Sequence, residues 1–317
     1  MARNFGRVGV LMGGPSSERG ISIRSGTAVY NALISSGIDA LCIDPRDIES
    51  GRNQILESKI DVAFVALHGR FGEDGTIQQL LEDIGVPYTG SGPRASALAI
   101  DKILSKKIFQ EKNIPVPKYT VIRKRGRSPF SLPPQKEKGD RPLFPLPFVV
   151  KPAREGSSIG LSLVEREDSI SEALDNAFLY DDEVLIEEYI PSQEITAGIL
   201  DDKPLPVVHI KPKTKFYSFK AKYESGMSEY VVPADFSEDI IDRVQDLALA
   251  SHRALGCSSF SRVDMLLDKR DRSIVVLEVN TIPGLTASSL IPKAAQAAGI
   301  DFAQVCLRMI KSALVGV

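Results

Sequence analysis

The sequence predicts an α/β chain that turns to mixed α+β in its second half. Three observations carry this. In the first third, short apolar strands alternate with helical patterns. A stretch rich in Pro, Gly and charge then interrupts the pattern at 123–147, and beyond it short strands and helices follow without regular alternation. The chain also has 317 residues, more than one hydrophobic core of about 250–300 residues holds, so two or three lobes are expected.

The first strand, 8–12, is β-branched and runs straight into Gly13-Gly14-Pro15-Ser16-Ser17-Glu18. This reads as strand, tight turn and a helix beginning near Ser22. Strands follow at 40–43 and 61–67, with helical patterns between them, 25–36 among them. Such alternation implies parallel βαβ units. Ligands on such sheets lie beyond the strand C-terminal ends, where Gly13-Gly14 and His68-Gly69 fall. After 147, strands are expected at 148–151, 184–188, 206–210 and 273–279, and helices at 169–177, 238–254, 292–298 and 302–313.

Composition narrows the class. The chain is 43% hydrophobic and 25% charged, ordinary for a soluble globular enzyme. Its net charge of -2 gives no nucleic-acid signature. No apolar run approaches the roughly 18–20 residues of a membrane span, and the start MARNFGRVGVLMGG lacks a signal-peptide core. Cys42, Cys257 and Cys306 are too scattered for a disulfide or zinc framework and read as small buried hydrophobes in a reducing cytoplasm. The 123–147 stretch carries a net +5. It reads as a solvated loop between strands, with a nucleic-acid or membrane patch as the alternative.

Three features of the second half point to a nucleoside triphosphate. In KPAREGSSIG, Lys151 closes an apolar strand and a Gly/Ser loop follows; such a loop can wrap phosphates through its N–H groups or be a plain hairpin turn. Glu187-Glu188-Tyr189-Ile190 ends a strand and reads either as a hinge meeting adenine and ribose or as a strand running to the surface. Finally, Arg262 and Asp264 are two apart, as are Glu278 and Asn280. Residues two apart share a strand face, so pairing of these strands would gather Asp264, Glu278 and Asn280, hard oxygen donors that suit Mg²⁺.

With these residues in view, the chain resembles the D-alanine–D-alanine ligases of the ATP-grasp superfamily. The resemblance covers nearly the whole chain and rests on GGPSSERGIS, ALHGRFGEDGTIQ, YTGSGPRASALAIDKILSK, VVKPAREGSSIGLS, EVLIEEYIPSQEIT, KAKY, SRVDMLL and LEVNTIPGLTASSLIPKAA, in that order. It implies an ATP-grasp fold with an N-terminal parallel βαβ domain. The implied domains are a substrate domain at 1–92, a central domain at 93–187 and a C-terminal domain at 188–317. It also implies ligation of two D-alanines through a D-alanyl phosphate, with release of ADP and phosphate, for peptidoglycan precursors.

The implied roles fall on positions of this sequence. Lys102, Lys151 and Lys222 match phosphate contacts; Glu187, Ile190, Glu194 and Phe216 match adenine and ribose contacts. Asp264, Glu278 and Asn280 match ligands of two Mg²⁺ ions, with Mn²⁺ as a substitute. Glu18, Ser157 and Tyr223 match the group holding the first D-alanine, and Arg262 and the Gly284 N–H match donors to the tetrahedral oxyanion. Ser289 matches the receiver of the second D-alanine carboxylate, and His68 a supporting histidine. A homodimer in the cytoplasm is implied, with no nucleic-acid or membrane partner.

Gly20 stands where many members carry an acid, and Phe219 and Lys220 depart from the Tyr-Asp-Tyr-Glu of the closing loop. Tyr223 favours an amine nucleophile; the alternative is a ligase that takes D-lactate or D-serine second.

Overall fold

The computed structural model describes residues 5–124, 144–213, 227–286 and 288–315. Most of the basic Pro-rich stretch lies outside them, as do Phe216, Phe219, Lys220, Lys222 and Tyr223.

The first sheet is built of β1 (Val8–Leu11), β2 (Ala40–Ile43) and β3 (Val62–Val65) in the parallel order β2-β1-β3. β1 and β3 are buried at every position, as a parallel sheet covered on both faces requires. Helix α1 (Arg19–Ser35) starts three residues earlier than the apolar pattern indicates, because the N–H groups of Ile21 and Ser22 already bond Glu18 O. Helix α2 (Ile48–Ser58) opens with a capping box of Asp47 and Ser50. Helices α3 (Thr76–Asp83), α4 (Pro93–Ile100) and α5 (Lys102–Glu111) follow. The Asp101 carboxylate caps α5 by accepting from the Ile103 and Leu104 N–H groups.

The second sheet is antiparallel, in the order β4 (Tyr119–Arg123), β7 (Glu183–Glu188), β5 (Phe148–Pro152), β6 (Ser162–Val164). Helix α6 (Ile170–Phe178) packs Ala173, Leu174 and Ala177 on one face of it. The third sheet runs β11 (Ser228–Val231), β10 (Val208–Pro212), β8 (Ser192–Leu200), β12 (Phe260–Asp268), β13 (Ile274–Asn280), with β9 (Lys203–Pro204) beside β8. Helices α7 (Glu238–Ala254), α8 (Leu290–Ala297) and α9 (Phe302–Val315) complete the described chain.

Two details position the site. β12 and β13 pair antiparallel with Arg262 opposite Asn280 and Asp264 opposite Glu278. The apolar face of α9, with Val305, Cys306, Met309 and Ile310, enters one core with Val29, Leu33, Val62 and Phe64 of the first sheet layer. The chain's end thus locks the first sheet to the third.

Cys257 and Cys306 are buried, but Cys42 is exposed. It lies on β2, an edge strand of the first sheet, and its side chain falls outside the core that buries Ala40 on the same strand. Among the described residues no helix is long and apolar enough to cross a membrane.

Candidate functional site

Two cavities meet in the middle of the chain. The first, about 540 Å³, lies between the second and third sheets. Lys102, Lys151, Glu187, Ile190 and Glu194 line it. The second, about 440 Å³, opens between the first sheet's loops and the third sheet. Glu18, His68, Ser157, Arg262, Asn280, Gly284 and Ser289 line that one. Asp264 and Glu278 line both and so form the wall between them. Every site residue expected from the sequence that falls among the described residues therefore lines one cavity or the other. Phe216, Lys222 and Tyr223 lie outside the described residues.

The first cavity is unusually charged for so buried a place, with four lysines set among six carboxylates along its lining. Lys102 and Lys151 are 6% and 7% exposed and Glu187 is 3% exposed. Lysine and glutamate are almost never buried unless paired. Lys102 Nζ lies 3.3 Å from Glu278 Oε2 and donates to Glu155 O at 2.7 Å. Lys151 Nζ is 2.8 Å from Glu187 Oε2. Both lysines sit where backbone geometry fixes them, Lys102 at the first turn of α5 and Lys151 inside the wholly buried β5.

Between the cavities runs the loop from Ala153 to Gly160. Its root is held by Arg154, which bonds Asp101 and Asp181 at 2.9 and 3.2 Å and also pairs with Glu183. Its flank is tied to the first sheet's loops by Arg70 on Glu155, 3.1 Å apart. Ser157 and Ser158 take positive φ angles of 52° and 60°, a strained conformation for non-glycine residues. That turn brings the Ser157 hydroxyl onto Glu18 Oε1.

In the second cavity Glu18 is 6% exposed, and its Oε2 has no hydrogen-bond partner among the described residues. Burial first and the nearby Glu73 second push its carboxyl above the usual range. A ligand ammonium there would supply the missing partner. His68 bonds Ser25 Oγ through Nε2 at 3.0 Å, with Nδ1 3.8 Å from Glu73 Oε1. Ser25 Oγ accepts in turn from the Leu285 N–H at 3.2 Å, so His68 is linked through Ser25 to the loop carrying Gly284. Ser289 is the N-cap of α8, and its Oγ accepts from the Thr286 N–H at 3.0 Å. The N-terminus of a helix favours a carboxylate.

At the shared wall, Arg262 grips Asp264 with two bonds of 2.8 and 2.7 Å. Thr196, opposite Asp264 on β8, donates to it at 2.7 Å. The Asn280 amide nitrogen also donates to Asp264, at 3.1 Å. The arrangement can hold an anionic ligand against lysines on one side and an amino acid, by its ammonium and carboxylate ends, on the other. The reacting ends would meet at two carboxylates flanked by cations.

Sequence reasoning missed four of the groups that build this site: Lys106, Glu73, Thr196 and Arg154. Lys106, four residues after Lys102 on α5, faces the same way, and its Nζ is 2.9 Å from Glu187 Oε1. That spacing was the one signal available.

Residues 45–91 match the family described as D-ala D-ala ligase N-terminus, and residues 108–311 that described as D-ala D-ala ligase C-terminus. The chain is similar to the D-alanine–D-alanine ligase of Geotalea uraniireducens, 45% identical over 308 residues, which cover 97% of this chain and 95% of that one. It is similar also to that of Trichlorobacter lovleyi, 46% identical over 297 residues, 93% and 91% of the two chains. Among solved structures, the D-alanine–D-alanine ligase of Bacillus anthracis complexed with ATP superposes with a TM-score of 0.81 at 34% identity, covering 98% of each chain. Another structure of a Bacillus anthracis D-alanine–D-alanine ligase gives 0.82 at 36%, with the same coverage. On this agreement of sequence over both halves and of fold over the whole length, the chain belongs to the D-alanine–D-alanine ligase family of ATP-grasp proteins.

Proposed function

We propose that the chain joins two D-alanines into D-alanyl-D-alanine while ATP is cleaved to ADP and phosphate, a step toward peptidoglycan precursors. One observation carries the reading: Asp264 and Glu278 stand in the wall common to a cavity that carries the buried Lys102 and Lys151 and a second, polar cavity that carries Glu18 and Arg262.

ATP occupies the first cavity. Lys102 and Lys151 meet its phosphates, Glu187 accepts from the adenine amino group, Ile190 offers hinge backbone and Glu194 takes the ribose hydroxyls. The first D-alanine sits in the second cavity with its ammonium on Glu18, held by Ser157. Its carboxylate points at the shared wall and forms a bond to the γ-phosphorus as the bond to the ADP oxygen breaks. The second D-alanine places its carboxylate at Ser289 and the α8 N-terminus. Its amine, having lost a proton, attacks the acyl carbon. Arg262 and the Gly284 N–H hold the oxyanion until phosphate leaves. His68 steadies the Gly284 loop through Ser25. Phe216, Lys222 and Tyr223 complete the set by resemblance alone.

The residues at the wall fit Mg²⁺. Two carboxylates and an amide are hard oxygen donors, and the Asn280 amide spends its nitrogen on Asp264, leaving its oxygen for a cation. Bound there, the two metal ions would neutralise charge on the transferring phosphoryl group. The reading carries with it a cytoplasmic location, where ATP is at hand, and a homodimeric state, which sedimentation measures.

The test is ADP release with ATP, Mg²⁺ and D-alanine, with L-alanine as control and D-lactate and D-serine as competing second substrates. ADP formed in step with D-alanyl-D-alanine, and only with D-alanine, is expected. Folded protein silent with D-alanine, or one that makes depsipeptide instead, would contradict the reading.

A second expectation concerns Gly156. A Cβ there would lie 2.8 Å from Glu18 Oε2, in the space assigned to the D-alanine ammonium. Gly156→Ala should raise the KM for the first D-alanine by about ten- to a hundredfold, with ATP binding and the melting temperature little changed. Steady-state kinetics at varied D-alanine check it.

A further inference from the structure

Lys106 is wholly buried on α5, and unlike Lys102 and Lys151 it does not line the first cavity. Its Nζ lies 2.9 Å from Glu187 Oε1 and 5.8 Å from the centre of the Tyr119 ring. The other carboxylate oxygen, Oε2, is 2.8 Å from Lys151 Nζ. Two buried ammonium groups thus share one buried carboxylate, with Glu278 of β13 the next acid whose charge reaches Lys106. For a structural pair the second cation is a surplus, and a costly one to desolvate. The surplus makes sense if Lys151 has a second anion to serve. When Lys151 turns to a phosphate, Lys106 remains as the dedicated partner of Glu187.

What the pair does to Glu187 has a chemical consequence. Burial alone would raise the Glu187 carboxyl; Lys106 first and Lys151 second overcome this and hold it well below the usual range. An ionised carboxylate accepts hydrogen bonds and donates none. The carboxylate lines the first cavity between its two cations, with Oε1 toward Lys106 and Oε2 toward Lys151. An acceptor fixed there takes a purine's 6-amino group and repels a 6-oxo group. A protonated Glu187 would donate to the 6-oxo group instead.

We propose that Lys106 is a positioning residue that sets the choice of base: by keeping Glu187 a fixed acceptor, it selects a 6-amino purine nucleotide over a 6-oxo one. This rests on the reading that a nucleotide occupies the first cavity.

The test uses the full chain with Lys106→Met and Lys106→Gln, the latter keeping a buried donor where Met loses it; melting curves establish that each is folded. Calorimetry gives the affinities for ADP and for IDP, and steady-state kinetics with D-alanine the KM and kcat for ATP and ITP. In the variants the preference for ADP over IDP should narrow at least about tenfold, with the KM for ATP raised and kcat changed much less. Affinities that fall equally for both nucleotides, leaving the preference intact, would overturn the proposal and leave Lys106 a structural charge. Wild-type protein that binds neither ADP nor IDP would overturn the nucleotide reading along with it, so the two failures are told apart by the wild type alone.

Discussion

Replacing Glu278 by Gln should leave a folded protein with at least about a hundredfold less ADP-forming turnover. Glu278 faces Asp264 across the β12–β13 ladder and lines both cavities. The amide keeps the volume and loses the charge. Lys102, now 3.3 Å from the carboxylate, would face the transferring phosphoryl group without the counter-charge that positions it, and a cation would lose one of its oxygen donors. These interactions count most where charge moves in the transition state, so kcat should fall far more than the D-alanine KM rises. The ladder hydrogen bonds of β13 are backbone bonds and survive, so the melting temperature should shift by only a few degrees. Near-wild-type turnover would remove Glu278 from the chemistry.

Replacing Glu187 by Gln should act first on stability. Lys106 and Lys151 then lose the carboxylate they share, and removing one partner of a buried charge pair costs roughly 3–5 kcal/mol. Lys106 limits the loss, because burial already pulls its ammonium below the usual lysine range and it can release its proton. Without Glu187 its folded-state pKa falls further below that of the unfolded chain. Between those two values the unfolded state binds more protons, so the variant's stability rises with pH. Wild-type Lys106 is itself pulled down to about 8, so the variant's deficit should shrink as pH rises to about that value and change little above it. In the wild type Glu187 works in the opposite range: held below its ordinary value, it contributes stability above that value and loses it as pH falls toward the folded-state pKa. Urea unfolding of both proteins at two pH values checks the slope. A deficit that is absent, or the same at both pH values, would mean that the lysines do not depend on Glu187.

The parts legible in the sequence are those set by local period. Alternation along β12 and β13 placed Arg262 with Asp264 and Glu278 with Asn280 on common faces, and the antiparallel register then set the two pairs opposite each other. The βαβ pattern gave the parallel first sheet. What escaped depends on long-range placement. Lys106 looks like any helix lysine until β7 brings Glu187 beside it. Thr196 braces Asp264 only because β8 and β12 are neighbours. Arg154 gains its task from carboxylates on two separate segments, Asp101 before α5 and the Asp181 and Glu183 pair at the start of β7. The closing of α9 onto the first sheet carries no local signal, since an amphipathic helix states that it packs, not against what. Cys42 shows the converse: an apolar strand context says buried, and on β2 only Ala40 and Ile43 are, while Cys42 is exposed.

The most direct measurement follows the oxygen that crosses the shared wall. D-Alanine carrying oxygen-18 in both carboxylate oxygens is turned over with unlabelled ATP in ordinary water, and the released phosphate is analysed by mass. Attack of the D-alanine carboxylate on the γ-phosphate, followed by displacement of phosphate by the second amine, puts one labelled oxygen into each phosphate formed. Phosphate without label, or label recovered in AMP, would contradict a D-alanyl phosphate formed between Asp264 and Glu278.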